Sequence, residues 1–213
     1  MIARWLVQVR NCQRGVGGFG STLGALEWIS GALYLHAVIT YRCTERARKR
    51  FKLRAEEDVV APTNVLGDWY ANLFNHGRER FVILASERTL LPLIMPARNS
   101  DFPGKVGEYL AEVLKEFGVP ASKIEAEVSA MDSFRIGRTQ SRSVIGVLTE
   151  YAFAATYHMP EESAFLTSLK LSGTPLIGPF KGEAADQRTC DAFGLPRKVR
   201  WWWTDLPLGP HVS

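Results

Sequence analysis

The chain has 213 residues, 46% of them apolar and 23% charged, which is globular composition and excludes a wholly disordered or collagen-like chain. Lys and Arg number 26 against 22 Asp and Glu, a net charge of +4 that is too small to demand a nucleic-acid partner by itself. The three cysteines, Cys12, Cys43 and Cys190, are far apart and form no Cys-x-x-Cys, so neither a disulfide framework nor a structural zinc site is expected, and the expected compartment is a reducing cytoplasm.

The first 34 residues are glycine-rich. Arg4, Arg10 and Arg14 precede a stretch from Gly15 to Thr40 whose only charge is Glu27. That charge, together with Gly15, Gly17, Gly18, Gly20, Gly24 and Gly31, argues against a membrane helix, which needs about 20 apolar residues in a row. Gly15-Val16-Gly17-Gly18-Phe19-Gly20 matches the spacing of a dinucleotide-binding turn formally. The match is weak: Asn11 to Arg14 separate it from the nearest extended stretch, and the next extended segment ends in Tyr41-Arg42 rather than in the acidic residue such a site uses. No cofactor is expected.

Regular pattern begins at Leu35. His36 to Cys43 reads as a strand rich in β-branched residues. Thr44 then caps a basic helix ending near Leu53. Trp69 to Phe74 and Arg80 to Ala85 read as the two strands of a hairpin around Asn75-His76-Gly77. Leu90 to Met95 reads as a third strand, placed at an edge by Pro92, which has no N–H for a ladder. Beyond Pro103 the period changes. Val106, Leu110, Val113, Leu114 and Phe117 recur at helical spacing up to the stop at Gly118 and Pro120.

A second helix carries Ile124, Val128 and Met131, and Phe134 to Arg138 is a short strand. A further amphipathic helix bears Val144, Leu148, Tyr151, Ala152 and Ala155, with Ser141 as its cap. After Ser172 the recurrence of Gly173, Pro175, Gly178, Pro179 and Gly182 reads as loop and tail. The expected organisation is therefore an extension over 1–34, one domain over 35–170 and a tail over 171–213. The order β-α-β-β-β-α-α-β-α defines an α+β class with a mostly antiparallel sheet and helices packed on it.

Three segments of this domain, Leu66-Gly67-Asp68-Trp69-Tyr70-Ala71-Asn72-Leu73, Glu87-Arg88-Thr89-Leu90-Leu91-Pro92 and Thr139-Gln140-Ser141-Arg142-Ser143-Val144-Ile145-Gly146, resemble an uncharacterised bacterial family, domain of unknown function family 6933. The opening Tyr41-Arg42-Cys43-Thr44 with its basic helix resembles the start of that family. The resemblance runs from about residue 35 to about 170 with the segments in matching order. Related domains occur ahead of plasmid Orf-3-like domains, so the resemblance implies an accessory or regulatory module. It implies no activity and no catalytic residue. The family's chains begin close to His36, so residues 1–34 are expected to be an overextended reading frame or a disordered arm. No methionine lies between Met1 and Met95.

Several groups bear on function. Arg42, Arg46, Arg48, Lys49, Arg50, Lys52 and Arg54, against Glu45 alone, are the densest charge in the chain. Arg46, Arg48 and Arg50 would neutralise phosphates of a nucleic acid, or else form the solvated side of a helix whose Ala47, Phe51 and Leu53 enter the core. Ser141, Arg142 and Ser143 at a helix start would bind an anion, or simply cap the helix. Asp68, Trp69, Asn72 and Arg88 would line a small polar pocket with an aromatic wall, or Asp68 and Arg88 would serve turn backbone or pair with each other.

His36, His76, His158 and His211 lack metal-ligand spacing, so no metal is expected. Cys43 with His76 is the one nucleophile–base pair left open, against a small buried cysteine. Trp201, Trp202 and Trp203, flanked by Arg197, Lys198 and Arg200, suit an interface or single-stranded bases, or else a tail that folds back. The functional expectation is a non-catalytic module that binds an anionic ligand or nucleic acid, with a protein-interaction module as the alternative and an enzyme third.

Overall fold

The computed structural model describes residues 39–57, 61–98, 101–160, 162–175 and 182–197. All of them belong to the second of two units into which the chain divides, Leu35–Ser213. The glycine-rich motif at Gly15–Gly20, the expectations about residues 1–34, Cys12, His36, His211 and the Trp201–Trp203 segment lie outside the described residues.

The strands are β1 (Ile39–Cys43), β2 (Trp69–His76), β3 (Glu79–Ser86), β4 (Pro92–Pro96) and β5 (Phe134–Arg138). The helices are α1 (Glu45–Phe51), α2 (Val106–Glu116), α3 (Ala121–Ser129), α4 (Arg142–His158), α5 (Ala164–Gly173) and α6 (Ala185–Ala192). Up to α4 this is the order expected from the sequence. The strands form one sheet in the order β4-β3-β2-β1-β5.

The class is α+β as expected, with a mixed sheet that is not wholly antiparallel. β1 lies parallel to both β2 and β5, whereas β2, β3 and β4 form an antiparallel meander. The reason is connectivity. β1 reaches its neighbour β2 through α1, and a helical crossover between adjacent strands leaves them parallel. β5 arrives only after α2 and α3 and takes the far side of β1, a pairing that local periodicity does not encode.

Local chemistry sets the element ends. Thr44 caps α1 by accepting the Ala47 N–H at 3.4 Å, and Ser141 caps α4 by accepting the Val144 N–H at 3.3 Å. Gly77, at φ 58, opens the two-residue turn that pairs His76 with Glu79. Pro92 does sit on an edge strand, and the edge is covered: the Ile94 N–H donates to Ser168 Oγ of α5 at 2.9 Å.

Successive strand residues point to opposite faces. One face carries Tyr41, Cys43, Trp69, Leu84, Leu93 and Met95 into a core completed by α1, α2 and α3. The other carries Tyr70, Phe74, Phe81, Ile83 and Ile94 against Val144, Val147, Leu148 and Tyr151 of α4. α5 straddles the β4 edge, with Leu169 in the first cluster and Leu171 in the second.

The expected boundary at residue 170 thus falls inside a helix that completes both cores, and Phe193, just past α6, is also buried in the first. The Gly and Pro residues after Ser172 mark the link between α5 and α6, where Pro175 and Ala184 form an isolated bridge.

Candidate functional site

Arg42, Tyr70 and Gly137 form one row across the middle of the sheet, since Arg42 is in register with Tyr70 on β2 and with Gly137 on β5. Their side chains occupy the face that α4 covers. Asp68, just before β2, is fully buried and is held from two directions. Its Oδ1 accepts the Thr40 N–H at 2.9 Å. Its Oδ2 accepts Nε of Arg42 at 3.0 Å and lies 2.8 Å from Nη2. These two guanidinium nitrogens thus converge on one carboxylate oxygen, and the Thr40 N–H satisfies the other, so the buried carboxylate is paired and hydrogen-bonded on both oxygens.

Arg42 is itself 8% exposed, and its remaining nitrogen, Nη1, is buried without a hydrogen-bond acceptor among the described residues. Gly137 makes room for the neighbouring Thr40: a Cβ there would stand 2.8 Å from Thr40 Cγ2, while Nη1 at 3.7 Å would be in ordinary contact. Tyr70, fully buried beside Arg42, points its hydroxyl at Glu87 Oε1, 3.5 Å away, and at the backbone of Ser141. Its phenol is held above the ordinary tyrosine range, first by burial and then by the negative charge of Glu87, with Arg42 and the Ser141 backbone pulling the other way.

Glu87 is placed by the β3–β4 turn. Its N–H donates to the Asp68 carbonyl at 2.7 Å. The same turn holds buried Leu90 at φ 63, a costly conformation for a branched residue. It is locked there by Tyr151, whose hydroxyl donates to the Leu90 carbonyl at 3.2 Å, and by the Ser86–Thr89–Thr189 hydroxyl chain. The start of α4 closes the group, where the first-turn amides of Arg142 and Ser143 have no acceptor within their own helix.

The expected site residues separate. Trp69 is fully buried on the opposite face, because adjacent strand residues alternate, so the Asp68–Trp69–Asn72 pocket does not form. Asn72 shares the face of Asp68, but its Oδ1 accepts from Thr44 Oγ1 at 3.0 Å and ties down the α1 cap. Arg88 does not pair with Asp68. Its guanidinium donates to the Asn64 carbonyl at 2.8 Å and to those of Pro62 and Val65 at 3.3 Å, bracing the loop before β2.

On α1, Arg46 is exposed, Arg48 pairs with Glu45, and Arg50 donates to the Ala97 carbonyl at 3.2 Å and lies against the Phe51 ring. Ser141 caps α4 and shares a hydrogen bond with Ser143, while the Arg142 and Ser143 side chains are exposed. Cys43 and His76 stand apart. Cys43 pairs with Ala71, five residues and roughly 16 Å along β2 from His76. The thiol is buried in the first core, and burial pushes it up to about 12, the reverse of what a nucleophile needs.

Three members of the cluster were not among the expected site residues: Arg42, Tyr70 and Glu87. The signal for Arg42 is an arginine at a strand position between two core residues, Tyr41 and Cys43; a charge there needs a buried partner. Glu127 on α3 was also missed, and it is structural. Its carboxylate accepts from Asn64 Nδ2 at 2.7 Å and from the N–H groups of Val65 and Leu66 at 2.9 and 3.0 Å.

Among the described residues no group of three or more His, Cys, Asp or Glu side chains is placed to hold a metal, and no helix is long and apolar enough to cross a membrane. A groove of about 350 Å³ between α2 and α3, lined by Ala111, Lys115, Val119, Ile124 and Val128 among others, contains no member of the cluster.

Fold and cluster together define an α+β domain with a mixed sheet and a buried polar centre beside the start of α4. A family model described as a domain of unknown function (DUF6933) matches residues 40–182, and the chain belongs to that family. No curated protein and no solved structure matches it.

Proposed function

We propose that this chain is a non-catalytic accessory module of the bacterial cytoplasm that binds a small oxyanion where β1, β2 and the start of α4 meet. The observation that carries this reading is Arg42 Nη1, a buried cationic donor with no acceptor among the described residues, in register with Tyr70, whose hydroxyl reaches the backbone of Ser141 at the start of α4. Leaving such a donor unmet costs about 1–3 kcal/mol, which a bound oxygen would recover. The first-turn amides of α4 and the hydroxyl of Tyr70 supply further hydrogen-bonding groups. Glu87 sets the protonation of the ligand: its carboxylate repels a fully ionised group and accepts from one that keeps a hydroxyl, such as hydrogen phosphate.

Nucleic acid bound along α1 is the weaker reading, because Arg48 and Arg50 already have partners within the chain.

Inorganic phosphate titrated at constant ionic strength should raise the melting temperature, as a ligand that binds only the folded state does. In the double variant Arg42→Leu/Asp68→Leu the buried pair is removed as a unit, so the fold is kept and the phosphate response is lost. A wild-type chain indifferent to phosphate, or a double variant that responds as strongly as wild type, removes the reading.

A further inference from the structure

The outer side of α4 is self-complementary, and we infer that it joins two copies of this chain through an antiparallel α4–α4 contact. The buried residues Val144, Val147, Leu148, Tyr151 and Ala155 form one stripe of the helix. At about 100° per residue, Arg142, Gly146, Thr149, Phe153 and Tyr157 fall on the opposite stripe. Phe153 and Tyr157 are 65% and 68% exposed, and their rings meet edge to face with centroids 5.1 Å apart. Two large rings are therefore ordered against each other on a rigid helix while most of their surface remains in water.

Gly146 lies two turns before Phe153. In a helix interior glycine is the least favourable residue after proline, and a Cβ at 146 would meet nothing within 4 Å. Among the described residues no contact accounts for a glycine there.

A second α4 running the other way accounts for all of these features. The pairs 142 and 157, 146 and 153, and 149 and 150 are spaced equally about one point. A two-fold axis through that point sets Phe153 of each copy into the notch left by Gly146 of the other. It also sets Arg142 of each copy over Tyr157 of the other, where guanidinium and ring attract.

Charge selects the direction. Arg142 in the first turn of one helix reaches the last turn of its partner, whose terminal carbonyls carry partial negative charge. A parallel pair would instead bring two Arg142 side chains and two positive helix ends together. The two Glu150 side chains remain at the solvated rim. The contact is closed and isologous, so it ends at a dimer. It does not depend on the oxyanion reading, since neither Arg42 nor Asp68 takes part.

Sedimentation velocity of the full chain over a concentration series should show a monomer–dimer equilibrium. Phe153→Glu and Tyr157→Glu should each raise the dimer dissociation constant about tenfold or more, with unchanged circular dichroism because both side chains are exposed. Gly146→Leu should raise the melting temperature of the monomer, by removing a poor helix former, and yet weaken the dimer by filling the notch; an ordinary surface position would give the first effect without the second.

Thr149→Cys, beside the axis, should form a disulfide-linked dimer with diamide faster than wild type, a readout that holds even if a glutamate variant misfolds. A chain that sediments as a monomer at every concentration overturns the inference. So does a dimer that none of these substitutions weakens and that Thr149→Cys fails to cross-link faster than wild type.

Discussion

The two faces of the sheet are built from alternate residues of the same strands, yet they are held in different ways. On the face under α1, α2 and α3 the row Cys43, Ala71 and Leu84 is apolar and buried. On the face under α4 the adjacent row runs Gly137, Arg42, Tyr70 and Ala85, and an ion pair is buried within it. An apolar face gains from each side chain separately, because apolar burial is roughly proportional to area and has no direction. A buried ion pair gains nothing from one member alone, since either charge without the other faces its full desolvation cost. One face is additive and the other is conditional.

The sharpest way to break that contrast is to remove half of the pair. Arg42→Leu alone should cost about 3–5 kcal/mol in urea denaturation, because the Asp68 carboxylate is left buried and unpaired, and adding Asp68→Leu should recover part of the loss, the remainder being the Thr40 N–H left without its acceptor. On the other face Leu84→Ala should cost about 2–5 kcal/mol, with no second substitution at a neighbour that restores it as fully. Equal losses in the single and double variants at 42 and 68 would erase the distinction between the faces.

Alkaline pH probes the apolar face through Cys43. Burial holds the Cys43 thiol at about 12 against 9.0 in the unfolded chain. Between those values the unfolded chain has released a proton that the folded chain keeps. Stability is therefore fully present below pH 9.0 and falls as pH rises toward 12, by up to ~1.4 kcal/mol per pH unit from this group. Tyr41 and Tyr151, also raised by burial, add their own losses at higher pH. The difference in denaturation midpoint between wild type and Cys43→Ala, followed from neutral pH upward, isolates the thiol. A difference that stays flat with pH would place the thiol in water rather than in the core.

The smallest effect belongs to the boundary of the polar centre. Ser141→Ala removes the hydroxyl that accepts the Val144 N–H and should cost about 1 kcal/mol in denaturant unfolding. If Ser141 contributes to oxyanion binding beyond this capping role, the variant should also lose part of the phosphate-dependent rise in melting temperature. An unchanged response confines Ser141 to capping.

Element type was legible where it depends on neighbours in the chain. The helical spacing of Val106, Leu110, Val113 and Leu114, the caps Thr44 and Ser141, the turn at Gly77 and the edge position of Pro92 all correspond to structure. The α6 helix was not legible, because only Ala185, Asp186, Thr189 and Cys190 of its residues are buried and they carry little apolar signal. The candidate site was legible in fragments: Asp68 and Ser141 were marked, but Arg42 comes from β1 and Glu87 from the β3–β4 turn, while Tyr70 sits only two residues after Asp68. Trp69 was assigned to the wrong side because a motif read as a string ignores the alternation of a strand.

Hydrophobic period, caps and turn residues thus determined nearly every element up to α4, since each acts within a few residues and needs no distant partner. Which strands are parallel, which arginine meets Asp68, and which side of α4 is left to the solvent were decided only when the chain closed. Those outcomes depend on contacts between residues 26 and more positions apart, whose meeting is set by packing the whole sheet and not by any local preference.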